Sequence, residues 1–313
     1  MARAFLFPGQ AAQFVGMGRD LYDTFDTARE VFDLADEVIG GIKTACFDGP
    51  EERLKQTATT QPAVFTHSIA AFKILAEKGI RPHFVAGHSV GELAALVAAD
   101  VMSLEDGLKV VGVRGRAMQA AGEARSGTMA AVLGLDDAAV CALCSAIQPS
   151  GRVFPANFNC PGQVVISGEV VALRQAMEEA RARGAKRAIE LPVGGAFHSE
   201  LMQPAIDALA DVLADVPFAP AQIPVVANVT AEPTQDPDLL KRLLIKQVVS
   251  PVRWTASVKR LAAEGADQAV EVGPGNALRG MVRRIDRSLS LWGAATVDEI
   301  AETIRSLGEE PYG

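Results

Sequence analysis

The chain has 313 residues, 49% hydrophobic and 22% charged, with 38 acidic against 30 basic side chains for a formal charge of −8. That balance excludes a disordered chain, which needs low hydrophobicity and high net charge. It also argues against a nucleic-acid partner, because phosphate binding rests on clustered Lys and Arg. The most apolar stretch, 84–102, is interrupted by His88, Ser89, Glu92 and Asp100, so no membrane span is expected.

Residues 1–10 lack the apolar run and small-residue cleavage site of a secretory signal, and four cysteines are no disulfide framework at this length. A reduced, cytoplasmic protein is therefore expected. Ala4 to Phe7 is a short apolar run closed by Pro8-Gly9, a buried strand ending in a loop. Thr60 reads as the N-cap of a helix with Pro62 in its first turn. A second strand is expected over 83–86, then an Ala- and Leu-rich buried helix over 91–99 and another helix over 104–121. The grammar then changes. Strand 129–135, helix 136–147, strands 153–158 and 163–167 around the turn Asn159-Cys160-Pro161-Gly162, helix 170–183 and strand 186–193 follow in order. That βαββαβ order is the ferredoxin-like signature. An amphipathic run over 201–216 and strands over 223–229 and 268–272 complete the pattern. Alternating strands and helices predict an α/β fold with a parallel sheet covered on both faces. The expected division is a large α/β core from 1–126 and 194–313, with 127–193 inserted as a subdomain.

Gly87-His88-Ser89-Val90-Gly91 is a G-x-S-x-G between an expected strand and an expected helix. In a nucleophile elbow the serine sits in a strained turn that projects its hydroxyl, and a Cβ at either glycine would crowd that turn. The following helix directs its free N–H groups, Val90 first, at the space where an oxyanion would develop. The bland alternative is a Gly-rich turn carrying an incidental serine.

A serine nucleophile needs a base, and the histidines are His67, His83, His88 and His198. His88 adjoins Ser89 and points away, His67 lies in an apolar helical pattern, and His83 begins its strand at the end remote from the elbow. His198, in Gly194-Gly195-Ala196-Phe197-His198-Ser199 before an amphipathic run, is the base by elimination, with a helix dipole keeping it neutral. A loop histidine without a task is the alternative. Arg114 projects beside the apolar stripe Leu108, Val111, Gly115 and Met118, so its charge must meet an anion. Two readings stand open: a bidentate clamp for a substrate carboxylate, or an internal ion pair with Asp or Glu.

Three smaller patterns complete the reading. Cys141-Ala142-Leu143-Cys144 has no second pair and falls on an expected helix, so both thiols read as small buried hydrophobes. Gly273-Pro274-Gly275 lacks the Gly-Lys-Ser/Thr of a phosphate loop and reads as a turn. Arg279, Arg283, Arg284 and Arg287 form a basic run, by default a solvated helix face.

Phe7-Pro8-Gly9-Gln10, Gly87-His88-Ser89-Val90-Gly91-Glu92, Arg114-Gly115, Asn159-Cys160-Pro161-Gly162-Gln163, Gly195-Ala196-Phe197-His198-Ser199 and Gln247 with Ser250-Pro251-Val252 occur in one order. As an ordered set, running from about Phe5 to Ala294, they resemble the malonyl-CoA:acyl carrier protein transacylases of fatty acid and polyketide synthesis. The resemblance implies an α/β-hydrolase-like core with a ferredoxin-like subdomain. It implies Ser89 as the acylated nucleophile, His198 as general base and acid, and the Gln10 and Val90 amides as the oxyanion hole. Arg114 would hold the malonyl carboxylate, and a backbone carbonyl at Gln247 would orient His198. His88, Asn159 and Phe197 would complete the substrate site, with Phe197 crowding a 2-methyl branch. Malonyl-CoA and an acidic acyl carrier protein would be the partners, the latter docking on Arg279, Arg283, Arg284 and Arg287, with Lys186 and Arg187 beside them. No metal or redox cofactor is implied. The sequence departs from the family's usual pattern at Val90, at Ala11-Ala12 and at Gly194, and none of these removes a reacting group.

Other classes predict other features. A serine hydrolase or thioesterase orders its triad as serine, acid, then a histidine near the C-terminus, whereas His198 is followed by more than a hundred residues. A non-catalytic acyl-binding subunit needs neither nucleophile nor base. A malonyl-transfer subunit of a larger polyketide synthase or decarboxylase complex fits the same residues.

Overall fold

The computed structural model describes residues 2–308. Its strands are β1 (Ala2–Phe7), β2 (Phe84–Gly87), β3 (Gly127–Leu133), β4 (Val153–Cys160), β5 (Gln163–Glu169), β6 (Arg187–Glu190), β7 (Val225–Val226), β8 (Pro233–Thr234), β9 (Ala266–Glu271) and β10 (Ser290–Gly293). They form two sheets. The larger, in order β10-β9-β1-β2-β7-β8, is parallel except for β7 with β8. The smaller, in order β4-β5-β3-β6, is antiparallel throughout, with helices Asp137–Ile147 and Val170–Ala182 between its first and last strand pairs in the chain. An α/β fold with a mostly parallel sheet and a separate antiparallel one is thus present.

The two central strands position the site. β1 and β2 pair in parallel with Phe7 opposite Gly87, so the loops leaving both strands emerge side by side. Ligand crevices in open α/β sheets lie at such carboxyl ends. The helix Gly91–Ala98 that follows β2 is apolar on every side except Glu92 and is buried at every residue. Such a helix can exist only between other layers. It packs with Thr57–Glu77 and Leu104–Ala124 into the main core, while a second cluster fills the space between the small sheet and its two helices.

Several boundaries differ from expectation. Thr60 is no N-cap: the helix begins at Thr57, the Thr60 N–H already bonds Gln56 O at 2.7 Å, and its hydroxyl donates to Leu54 O. Pro62 therefore lies inside the helix rather than in its first turn. The strand expected over 223–229 shrinks to Val225–Val226, because the chain turns off so that Asn228 can bond to the neighbouring elbow. The last strand of the small sheet is likewise short, Arg187–Glu190 rather than 186–193. β10 is an addition to the expected strands; its Leu291 and Trp292 are only half-buried at the sheet edge.

The small sheet is tied at β4 to the segment that leads into helix Trp254–Ala263. Val252 N–H donates to Ala156 O at 2.8 Å, Phe158 N–H donates to Val252 O at 2.9 Å, and the Thr255 hydroxyl donates to Phe158 O at 3.0 Å.

Candidate active site

Ser89 sits at the tip of the turn from β2 into Gly91–Ala98 with φ +54°, in the left-handed region that a side chain occupies only at a cost. The flanking glycines are sterically required: a Cβ at Gly87 would fall inside the backbone of Gly91 and Glu92, and one at Gly91 would strike Phe7 O and Pro8 O. Asn228 clamps the turn from the far side, accepting from Ser89 N–H at 2.8 Å and donating to Gly87 O at 2.5 Å.

The Ser89 hydroxyl donates to His198 Nε2 at 2.7 Å, and the opposite ring nitrogen donates from Nδ1 to Gln247 O at 3.0 Å. His198 also has a left-handed backbone, φ +58°, and is buried. Burial, then the charge of Arg114, pushes its pKa down to about 3, so the imidazole is a neutral acceptor near neutral pH. The expected helix dipole is not the cause. Directly after His198 the chain makes a 3-10 turn, Glu200–Met202, capped by the Ser199 hydroxyl, and the expected helix, Pro204–Ala214, begins only six residues on.

Arg114 is buried behind the serine on helix Leu104–Ala124. It donates from Nη1 to Gln61 Oε1 at 2.6 Å, and from Nη2 to Gln247 Oε1 at 2.8 Å and to Ser89 Oγ at 3.3 Å. Neutral amides hold it by hydrogen bonds, and the buried Glu92 favours its charge through space without a direct hydrogen bond. Burial lowers its pKa to about 10, which still leaves it charged. A buried cation held by amides beside the Ser89 hydroxyl is suited to receive an anion from outside.

Around these groups lies a cleft of about 260 Å³ between the sheets, lined by Gln10, His88, Ser89, Asn159, Phe197 and His198, with Met129, Ala131 and Val165 of the small sheet opposite. Val90 is the N-cap residue of Gly91–Ala98, where amides have no acceptor within the helix. The Gln10 side chain accepts from Gln61 Nε2 at 3.3 Å. His88 donates from Nε2 to Asn159 Oδ1 at 2.9 Å and packs edge-on to Trp254, which occupies it away from the serine. His67 is buried against Ala295 O, and His83 Nδ1 accepts from Arg3 N–H, so neither reaches the cleft.

A model of the acyl transferase domain matches residues 4–303. The chain belongs to the acyl transferase family. It is 43% identical to the malonyl CoA-acyl carrier protein transacylase of Bacillus subtilis (strain 168) over 98% of both chains. The solved acyl-carrier-protein S-malonyltransferase of Burkholderia pseudomallei 1710b superposes with a TM-score of 0.93 at 40% identity, covering 97% of this chain and 100% of that one. A malonyl-transacylase solved in complex with its type II PKS acyl-carrier protein gives 0.94 at 37% identity, covering 98% and 100%.

Within this acyl transferase the basic run divides. Arg279 is not available to a partner: it pairs with Glu299 at 2.6 Å and Glu271 at 3.4 Å and is mostly buried. Arg284 donates to Pro161 O and to Gln163 Oε1, at the rim of the cleft. Arg283 and Arg287 are exposed and share with Arg284 a surface hollow floored by Leu289 and Leu291.

Sequence patterns alone assign no role to three residues of the site: Gln61, Glu92 and Asn228. Glu92 carried a signal, being one carboxylate in the otherwise apolar run Gly91–Ala98. It is fully buried, and burial raises its pKa to about 7. Gln61 and Asn228 are neutral amides in segments without a pattern, and only the folded contacts reveal them. The Cys141 and Cys144 thiols lie on helix Asp137–Ile147, Cys144 buried and Cys141 half-buried, and burial raises both.

Proposed function

We propose that the chain moves the malonyl group of malonyl-CoA to the phosphopantetheine thiol of an acyl carrier protein through a malonyl ester of Ser89. One oxygen carries the reading: Ser89 Oγ is 2.7 Å from the imidazole and 3.3 Å from the Arg114 guanidinium. A base for the hydroxyl and a cation for a carboxylate on the same short acyl group thus converge on one atom.

His198 takes the hydroxyl proton as Ser89 attacks the thioester carbonyl. The oxyanion faces the Gln10 and Val90 amides, and loss of one such donor typically slows the reaction by about 10²–10³. The tetrahedral centre collapses, and the imidazolium protonates the departing coenzyme A sulfur. His198 then takes the proton of the incoming phosphopantetheine thiol. Its sulfur attacks the ester, and the proton returns to Ser89. The imidazole leans on a backbone carbonyl instead of a carboxylate, which sets the site apart from a Ser-His-Asp hydrolase. The path needs no metal or redox group.

Related readings stand on the same footing. The order β4-β5-β3-β6 with two interposed helices supports a ferredoxin-like subdomain over 127–193, and the central β1–β2 pair with its elbow supports a hydrolase-like core from 1–126 and 194–313. Arg283, Arg284 and Arg287 would dock the carrier. Phe197, lining the cleft, would disfavour a 2-methyl branch by about 1–3 kcal/mol. We place the protein in the cytoplasm: no helix among the described residues is long and apolar enough to cross a membrane, and the four cysteines are free.

The test is intact mass after incubation with malonyl-CoA, with and without holo-carrier protein. The wild type should gain one malonyl group and lose it to the holo-carrier. An adduct of equal yield in Ser89→Ala would exclude this serine.

A further inference from the structure

The Gln247 side chain presents three hydrogen bonds that only one orientation of its amide can satisfy. Its Oε1 accepts from Arg114 Nη2 at 2.8 Å, while its Nε2 donates to Ser89 O at 3.0 Å and to Glu92 Oε2 at 3.0 Å. A guanidinium only donates, and a carbonyl or carboxylate only accepts. The flipped amide would set NH₂ against the guanidinium and oxygen against two acceptors. The same Glu92 oxygen accepts from Asn228 N–H at 2.8 Å, and Asn228 is the residue that clamps the elbow. Glu92 therefore joins the Gln247 side-chain amide to the backbone of Asn228, and its carboxylate touches neither serine, imidazole nor guanidinium through a hydrogen bond of its own. Its other oxygen, Oε1, is buried without a partner.

We propose that Glu92 is a positioning residue for acyl-group selectivity: its carboxylate fixes the Gln247 amide, which in turn aims Arg114 at the carboxylate of a dicarboxylic acyl thioester. This rests on the proposed role of Arg114 and assigns what keeps that cation pointed. Without Glu92, the Asn228 amide proton and one Gln247 amide proton lose their acceptor in a buried site. Gln247 then gains freedom to turn, and its oxygen leaves the guanidinium.

The experiment compares malonyl-CoA with acetyl-CoA as acyl donors, as the ratio of kcat/KM, for the wild type, Glu92→Ala, Glu92→Gln and Arg114→Ala. Glu92→Ala should lower the malonyl preference about tenfold or more, the scale of a lost hydrogen bond to a charged group. Glu92→Gln should recover most of that preference, because its amide oxygen can accept both N–H groups while its NH₂ takes the place of the unpartnered oxygen. Adding Glu92→Ala to Arg114→Ala should change the ratio little further, since the two act on one interaction. A folded Glu92→Ala with the wild-type ratio would overturn the proposal. So would a folded Glu92→Gln whose ratio falls to that of Arg114→Ala, and this arm decides the matter if the alanine variant does not fold. A wild type without malonyl preference overturns the Arg114 reading as well, whereas normal wild-type preference with an unchanged ratio in both Glu92 variants overturns this proposal alone.

Discussion

The two sheets divide the labour of the cleft. Ser89, His198, Arg114, Gln247 and the Gln10 and Val90 amides all belong to segments outside 127–190, hung on or packed around the parallel sheet. The antiparallel sheet contributes Met129, Ala131, Asn157, Asn159, Gln163 and Val165, none of them ionisable. The reason is physical. A parallel sheet gathers its strand ends and helix N-termini at one edge, where donors and strained turns can converge. An antiparallel sheet offers a flat face of alternating side chains, suited to forming a wall. Chemistry and shape are therefore separable by mutation.

The sharpest break in that division comes from the parallel side. Ser89→Ala should cost on the order of 10⁴-fold or more in transfer rate, measured with holo-carrier protein as acceptor. Arg114→Ala comes next, eroding malonyl over acetyl preference by about 10–100-fold, as expected for charge-assisted hydrogen bonds. It should also move a pH profile. Because the Arg114 charge helps hold His198 down, its removal raises the imidazole pKa, and the acid limb of acetyl-CoA acylation should shift to higher pH. An unmoved limb would mean that burial alone sets the value.

Acid sensitivity offers a third contrast, since all four histidines lie outside 127–193. His67 is buried as the neutral form, its pKa pushed down to about 4 by desolvation. The unfolded chain binds that proton more readily, so the contribution to stability is intact above the ordinary value of about 6.5 and erodes as pH falls toward about 4. Urea melts at about pH 7 and about pH 5 should show wild type losing roughly 1–2 kcal/mol more than His67→Gln. On the wall side, Met129→Ala should change kcat/KM for malonyl-CoA by less than about tenfold while leaving the yield of acyl-enzyme intact. A collapse of acylation there would blur the division. Smallest of all, reversing Arg283 and Arg284 to Glu should raise KM for carrier protein several-fold, by roughly 1 kcal/mol for exposed charges, and spare KM for malonyl-CoA. Unchanged carrier kinetics would remove the patch from the docking surface.

How much of the fold and site is legible in the sequence depends on the kind of signal. The elbow is readable because two glycines and a serine obey a steric rule that acts within five residues. His198 is reachable by elimination, since the chain has only four histidines. The antiparallel unit is readable from alternating strands and a Pro-Gly turn. The short β7 is not, because its length is set by where Asn228 must stand, a constraint from a segment more than a hundred residues away. Arg114 poses a choice that spacing cannot resolve. Its partners, Gln61 and Gln247, are neutral, and an uncharged amide leaves no trace in a pattern of hydrophobicity or charge. Arg279 misleads for a related reason: its run of like-charged neighbours conceals two carboxylates, Glu271 and Glu299, brought in by the fold.

Two of the five left-handed non-glycine residues among the described ones, Ser89 and His198, have an evolutionary edge to them. Each holds its backbone where glycine would rest more comfortably, by about 1–2 kcal/mol. A laboratory lineage selected for heat tolerance alone would gain by relaxing both turns, and under the proposed mechanism each such gain would cost activity. Thermal screens of this protein should therefore be paired with a turnover assay from the first round.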